Sequence, residues 1–187
     1  MTALVARLHS RVGIDILSVV MASILISLAG LIAIPLPFSP VPIALQPQLV
    51  LFFAAIMGSK RGALAVVGFL AQGAMGLPVF ACGKSGALHL LGPTGGYLIG
   101  YVVAAFLVGW IFEREREKRV VRDFLTLCLG MAVIYTLGVM QLSHFISFKQ
   151  AVLCGVLPFI PGALLKNLFF TGMLGPAQQK RQKLFPR

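Results

Sequence analysis

Long apolar stretches, each ended by proline, glycine or a basic cluster, restrict the fold of this sequence more than any other feature. Hydrophobic residues make up 58% of the 187 residues and charged residues only 11%, and the mean hydropathy is +0.94. A typical soluble domain carries about a quarter charged residues, whereas a helix needs about 20 apolar residues to cross a bilayer. The sequence therefore predicts an all-α membrane protein.

The breaks between the apolar stretches predict a bundle of six transmembrane helices. The predicted spans are 13–34, 48–58, 62–77, 96–112, 124–145 and a last one that begins near Pro161 and ends near 175. Proline suits the first position of a helix, because the amide hydrogen that it lacks has no partner there. Several spans are short, which indicates local thinning of the bilayer or packing into a larger complex. We expect one membrane domain, embedded over about 13–176, with basic tails at 1–12 and 177–187.

Lysine and arginine are distributed unevenly between the two sides of this bundle. The chain has 16 of them against 5 acidic residues, a formal net charge of +11. Thirteen lie in the two tails and in the loops after the second and fourth spans: Arg7, Arg11, Lys60, Arg61, Arg114, Arg116, Lys118, Arg119, Arg122, Lys180, Arg181, Lys183 and Arg187. Since cytoplasmic loops are enriched in basic residues, we expect a multi-pass protein of the cytoplasmic membrane with both termini inside. This bias and the anionic lipid headgroups account for the charge without nucleic acid.

The loops on the opposite side carry few charges but many prolines and glycines. Four prolines stiffen the segment 35–46, and Gly92-Pro93-Thr94-Gly95-Gly96-Tyr97 precedes the fourth span. An apolar pocket with a few polar groups is the usual form of a small-molecule site. Because these loops lie on the same side of the membrane, we expect them to form such a pocket. The candidate ligand contacts are Gln46, Thr94, Gly95, Gly96, Tyr97 and Lys166.

Lys166 is the only lysine or arginine inside a predicted span. If the last span begins near Pro161, Lys166 lies little more than one turn from its outer end, near free amides and the positive end of the helix dipole. A charge in the membrane is costly and indicates a functional site by default. No acidic residue lies in this part of the sequence, which favours an anionic ligand group such as a carboxylate. The alternative is a lysine that reaches the interface with its long side chain.

Gly83-Lys84-Ser85 resembles the end of a phosphate-binding loop, but the full motif fails. That motif requires a glycine five positions before Gly83, where this sequence has Pro78. We therefore predict no nucleotide site in the chain, so any ATP-driven transport requires a separate ATPase.

The sequence also predicts neither a metal site nor a catalytic site. Cys82, Cys128 and Cys154 lack the spacing of metal or redox motifs. A membrane enzyme would need a nucleophile, a base or a metal cluster, and no acid lies near His89 or His144 to orient a histidine. No cofactor is expected, and an enzyme is the weaker hypothesis.

Small residues recur at a spacing of four in the first span. Ser18 and Ala22 form one such pair, and Ala29 and Ala33 form another. This spacing lets helices approach each other closely. Two interpretations stay open, which are packing inside the bundle and a docking face for a partner membrane subunit.

Four segments, in this order, resemble the BioY family. They are Pro40-Val41-Pro42-Ile43 with Leu45-Gln46, then Gly76-Leu77-Pro78-Val79-Phe80, then Gly92-Pro93-Thr94-Gly95-Gly96-Tyr97, and last Pro158-Phe159-Ile160-Pro161-Gly162 followed by Lys166. The resemblance covers about residues 14–175. BioY proteins are biotin-binding S-components, the substrate-capture membrane subunits of energy-coupling factor (ECF) transporters.

The resemblance implies a six-helix bundle that binds biotin near the outer surface, with a coupling transmembrane subunit and two ATP-binding-cassette ATPases as separate partners. It also implies docking to the coupling subunit through small residues of the first span. The family commonly has an acidic residue three positions before the lysine and a threonine in the first loop, where this chain has Ala163 and Ala44. An S-component for another small vitamin is the alternative. A cationic vitamin such as thiamine would prefer a buried acid, which the outer half of this chain lacks.

Overall fold

The structure, a computed structural model, describes residues 2–114 and 119–184, and the side chains of 12–114 and 119–175. The helices are α1 (Thr2–Ala29), α2 (Gln46–Met57), α3 (Ser59–Ala74), α4 (Ala87–Leu91), α5 (Gly95–Arg114), α6 (Val120–Leu142), α7 (Phe148–Gly155) and α8 (Ile160–Leu184). Two strands, β1 (Ala33–Leu36) and β2 (Ser39–Ala44), form an antiparallel hairpin. Each predicted span matches one of the longer helices, whereas α4 and α7 are short helices within loops.

Within the described residues, four segments are long and apolar enough to cross a bilayer. They are Val12–Ala29, Gly95–Arg114, Val120–Leu142 and Phe148–Gly175. The helices α2 and α3 have 12 and 16 residues, which rise only about 18 and 24 Å at about 1.5 Å per residue. Both fall short of the roughly 30 Å hydrocarbon core. The chain is thus a mostly helical membrane protein.

The proline-rich segment after α1 forms the β1–β2 hairpin, which the sequence analysis did not predict. The first helix ends at Ala29 rather than near 34, and Ala33 pairs with Ala44 across the hairpin. Prolines, which lack an amide hydrogen, are tolerated here because each strand of a two-stranded hairpin has one edge that pairs with no other strand. Helical periodicity could not reveal the turn, because the hairpin is as apolar as the span before it.

The ends of the helices separate into two groups of different chemistry. One end, which we call the ionic end, carries ionic contacts, such as Arg61 Nη2 to Asp15 Oδ2 at 2.9 Å and Glu113 accepting from the Ser59 amide at 2.9 Å. The other end, which we call the hairpin end, gathers the hairpin, α4, α7 and the starts of α2, α5 and α8. The acidic residues that the structure describes, Asp15, Glu113 and Asp123, all lie near the ionic end. Glu115, Glu117, Arg116, Lys118 and Arg187 lie outside the described residues, as do the side chains of Arg7, Arg11, Lys180, Arg181 and Lys183.

The small residues of α1 point mainly into the bundle. Ala22 is 3% exposed and packs with Met57 and Ala65, and Ala29 is 4% exposed. Ser18 is half-buried, and its hydroxyl donates to the Asp15 carbonyl at 2.9 Å. Internal packing is therefore the interpretation that the structure supports for Ala22 and Ala29.

The second predicted pair is not helical, because Ala33 lies in β1 and not in α1. Ser18, Ala22, Ala29 and Ala33 consequently form no continuous docking face. The outer surface of α1 consists instead of large apolar side chains, namely Ile16, Leu17, Val20, Ile24 and Leu28. Docking of a partner on this helix stays a prediction, and large side chains rather than small ones would make the contact.

Candidate ligand-binding site

A cavity opens at the hairpin end, between β2, α4, α5, α6 and the start of α8. Its void volume, including the open mouth, is about 830 Å³. The walls are mostly apolar or aromatic, and the polar side chains among them are Gln46, Gln48, Lys84, His89, Thr94, Tyr97, Tyr101, Tyr135 and Lys166. Apolar walls with a few polar groups are the usual composition of a site for a small organic molecule.

Four of the six predicted ligand contacts line this cavity, and two lie behind its wall. Gln46, Thr94, Tyr97 and Lys166 are lining residues. Gly95 and Gly96 are buried against neighbouring backbone instead, since a Cβ at Gly96 would overlap the Leu137 carbonyl of α6. Direct contact of these glycines with a ligand stays a prediction, and the structure gives them a role in helix packing.

Lys166 connects α8 to the hairpin. Its side chain is half-buried, and Nζ donates a hydrogen bond to the Ala44 carbonyl at 2.9 Å. An ammonium group has three donors, so this bond leaves two for a ligand. Among the described side chains, no carboxylate forms an ion pair with Lys166. No described carboxylate therefore neutralises its charge, and contact with an anionic ligand group stays a prediction.

Two buried glutamines at the start of α2 present hydrogen-bond acceptors without partners. Gln46 is fully buried, and its Nε2 donates to the carbonyls of Ile26 at 3.2 Å and Val79 at 2.9 Å. Gln48 is 3% exposed, and its Nε2 lies 3.8 Å from the Met131 sulfur. Neither Oε1 atom has a hydrogen-bond partner among the described residues. Leaving such an acceptor unpaired costs about 1–3 kcal/mol, so a ligand with N–H groups would relieve both.

Gly30 makes the position of Gln46 possible. A Cβ at residue 30 would overlap the Val79 carbonyl and approach Gln46 Nε2 to 2.5 Å. Because Gly30 has no side chain, the end of α1 lies directly against the glutamine amide. The Gln46 side chain thereby joins α1, α2 and the loop after α3 at the cavity wall.

Tyr97 supports the cavity from the side of α5. Its hydroxyl donates to the Gly155 carbonyl at 3.0 Å, which ties α5 to α7. A Cβ at Gly138 of α6 would overlap the Tyr97 ring, so the ring fills the space that this glycine leaves. Tyr97 is thus a rigid wall whose hydroxyl is already used within the protein.

The glycine-rich loop before α5 is fixed by side chains on either side. Gln141 Nε2 of α6 donates to the carbonyls of Leu90 at 3.2 Å and Gly92 at 2.7 Å. Thr94 Oγ1 lies 3.0 Å from His89 Nε2, within hydrogen-bond distance. The loop therefore forms a held wall of the cavity rather than a free clamp.

His89 gives this wall a pH dependence. Its ring stacks on Phe80 at 5.3 Å between centroids, and burial followed by the positive charge of Lys84 lowers its pKa below the ordinary value of 6.5. The unfolded chain then binds this proton more readily than the folded chain. We expect the contribution of His89 to the free energy of unfolding to be full above about pH 6.5 and to fall as the pH drops through that value.

Thermal unfolding of the purified protein between pH 7.5 and 5.5 measures this effect. His89→Gln should flatten the decline, and His144→Gln, on an exposed histidine at the end of α6, should leave it unchanged. Equal declines in all three proteins would mean that His89 is not the titrating group.

Sequence reasoning did not predict five polar lining residues as ligand contacts, namely Gln48, Lys84, His89, Tyr101 and Tyr135. Gln48 was overlooked although it follows Gln46 by two residues in the first turn of a short helix. Lys84 was considered only as part of a false phosphate loop, yet it lies at the mouth of the cavity. With Lys166 it makes the lining carry two cations and no carboxylate. A search for charges in the charge-poor loops would have found Lys84.

Within the described ranges, no group of three or more histidine, cysteine, aspartate or glutamate residues lies close enough to hold a metal ion. Cys82 is exposed, whereas Cys128 and Cys154 are half-buried rather than fully buried.

Known proteins resemble this chain in sequence and in fold. The biotin transporter BioY of Thermotoga maritima is 40% identical over 134 residues, which cover 71% of this chain and 78% of the relative. The biotin transporter BioY of Rhizobium etli is 33% identical over 180 residues, covering 91% and 95%. The crystal structure of the S-component for biotin from an ECF-type ABC transporter superposes with a TM-score of 0.82 at 27% identity, covering 92% of this chain and 95% of that one.

The family model agrees with these relatives in extent. The model of the BioY family matches residues 5–183, a range that includes every helix that lines the cavity and the whole hairpin. The resemblance read from the four short motifs is thereby confirmed, and the chain belongs to the BioY family.

Proposed function

We propose that this chain binds biotin in the cavity at the hairpin end and is the substrate-capture subunit for biotin uptake through an ECF-type transporter. Relatives named as biotin transporters and the likeness to an S-component for biotin support this function. The single observation that carries it is a cavity wall with two unpaired amide oxygens, two lysines and no carboxylate.

Biotin offers groups that complement this wall. Its ureido ring has two N–H donors, which suit the free Oε1 atoms of Gln46 and Gln48. Its sulfur-containing ring is apolar and suits the aromatic lining around Tyr97 and Tyr101. Its carboxylate suits the remaining donors of Lys166, and a charge-assisted hydrogen bond of this kind is stronger than a neutral one.

Six spans give the simplest membrane arrangement of this chain. They are α1, α2, α3, α5, α6 and α8, with both termini in the cytoplasm and the hairpin end outside. The basic residues near the ionic end support this orientation. The shortness of α2 and α3 requires the bilayer to thin beside them or another subunit to cover them.

Labelling of cysteine in intact cells tests this orientation. We expect the exposed native Cys82 at the hairpin end to react with a membrane-impermeant maleimide from outside. Lys60→Cys, made in a variant whose three native cysteines are serine, should react only after lysis, since it lies at the ionic end. Labelling of the Lys60→Cys variant in intact cells, without labelling of native Cys82, would reverse the proposed orientation.

Energy for uptake is proposed to come from other proteins. The chain carries no phosphate-binding loop, so ATP would act only through two partner ATPases joined by a coupling transmembrane subunit. Uptake of labelled biotin by cells that carry this protein with and without such a module measures the dependence. Calorimetry with purified protein tests binding itself, and failure of biotin to bind would overturn the proposed function.

A carrier for another small vitamin is the alternative within the same architecture. The cation-rich cavity disfavours a cationic ligand such as thiamine. A panel of vitamins in a thermal-shift assay separates these ligands, and we expect biotin to give the largest stabilisation. A larger shift with another carboxylate vitamin would reassign the substrate.

A further inference from the structure

A second, open groove faces the membrane on the far side of α6 and α8. It runs between α6, α7 and α8, with a void volume of about 1040 Å³ that includes open space, and its lining is almost entirely apolar. Thr136 and Leu164 line its walls. A groove of this size is large enough for an alkyl chain.

The groove and the ligand cavity share part of one wall. Met131, Tyr135 and Ala163 line both. Ala163 is the smallest of the three, and it precedes Lys166 by three residues on α8, so the two lie on neighbouring turns of one face. The position proposed for the carboxyl end of biotin is therefore next to the thinnest part of this wall.

An unpaired acceptor lies in the groove beyond this shared wall. Asn167 is 1% exposed, and its Oδ1 has no hydrogen-bond partner among the described residues. Its Nδ2 has only a long contact of 3.6 Å to the Cys128 sulfur. Asn167 lies four residues after Ala163, on the same side of α8. A ligand with an N–H group close to its carboxyl carbon would supply the missing donor.

We propose that the groove is an extension of the ligand site, and that the protein binds secondary amides of biotin whose alkyl chain passes Ala163 into the groove. This inference rests on the proposed function. The amide carbonyl replaces one carboxylate oxygen at Lys166, which still donates to it. The amide N–H donates to Asn167 Oδ1, and the chain lies along the apolar walls toward the lipid.

Binding of three ligands to the protein in nanodiscs tests this site: biotin, biotinamide and N-octyl biotinamide, with N-octyl acetamide as a control for partition into lipid. We expect the affinity for the octyl amide to be within about tenfold of the affinity for biotinamide, because its alkyl chain can pass Ala163 into the groove. Ala163→Phe narrows that way and should weaken binding of the octyl amide at least tenfold more than it weakens binding of biotinamide. Ala81→Phe, which places the same side chain at the cavity mouth, should affect the two amides equally.

Asn167→Leu provides a second variant that leaves the cavity lining intact. It should weaken both amides about three- to tenfold, the usual effect of one hydrogen bond, and leave biotin unchanged. Loss of octyl amide binding in the unaltered protein, while biotin still binds, would overturn the inference and leave the proposed function standing. The inference would also be overturned if Ala81→Phe, and not Ala163→Phe, weakened binding of the octyl amide more than binding of biotinamide. Failure of biotin itself to bind would count against the proposed function.

Discussion

Replacing Lys166 with methionine is expected to weaken biotin binding at least tenfold, a loss of about 1.4 kcal/mol. Methionine keeps much of the length of the side chain but removes the charge and the donors. The loss follows because the carboxylate of biotin would then enter a half-buried site without its nearest cation. Lys166 is the only cation that the described part of α8 contributes to the cavity lining. Isothermal calorimetry on the purified protein measures it directly.

Two lysines serve as controls for this variant. Lys84→Met should cost less, since Lys84 is exposed at the cavity mouth, and Lys60→Met at the ionic end should have no effect. The Lys166→Met protein should also lose the preference for biotin over neutral biotinamide, which a purely structural lysine would not affect. Unchanged biotin affinity would remove Lys166 from the site.

Gly96→Val is expected to lower the free energy of unfolding by about 3 kcal/mol, at the upper end of the cost of overpacking. A side chain at residue 96 would meet the Leu137 carbonyl and Cβ of Gln141, the latter at 2.7 Å. The helices α5 and α6 would have to separate, and Gln141 would lose its hold on the glycine-rich loop. Chemical or thermal unfolding without ligand measures the loss.

This variant also separates two roles of the glycine-rich motif. If Gly96 serves packing, stability falls before biotin is added. If Gly96 serves ligand contact alone, Gly96→Val should leave the free energy of unfolding unchanged and lower only the affinity for biotin. That result would contradict the structure. Gly172→Val is the matched control, because no atom lies within 4 Å of a Cβ at Gly172 of α8.

The positions of the long helices could be predicted from the sequence because their ends carry strong signals. Pro161 marks the start of α8 to within one residue, and the Lys60-Arg61 pair marks the turn between α2 and α3. The hairpin could not be predicted in this way. Its register depends on pairing between 33–36 and 39–44. Both faces of the hairpin are apolar, so the sequence has no alternation of polar and apolar residues that would indicate this pairing.

Some residues of the candidate site could also be predicted from the sequence, whereas others could not. A lysine in an apolar span has few explanations, so Lys166 could be identified from composition and position alone. Glycine has several explanations, and the sequence alone does not distinguish close approach to a ligand from close approach to a helix. For Gly95 and Gly96, the neighbouring atoms belong to Leu90, Leu137 and Gln141. Gln48 was missed because its significance depends on burial, which periodicity in so short a helix does not reveal.

The shortness of α2 links the two ends of the molecule. Its first turn holds Gln46 and Gln48 in the cavity wall, and its last residue, Met57, is followed by Gly58 and then by Ser59, which Glu113 binds through both its amide and its hydroxyl. One buried helix of about 18 Å is therefore the shortest covalent path from the ligand groups to the ionic end. A displacement of Gly58 would therefore be transmitted to Gln46 and Gln48 through a rigid helix, with no loop in between to absorb it.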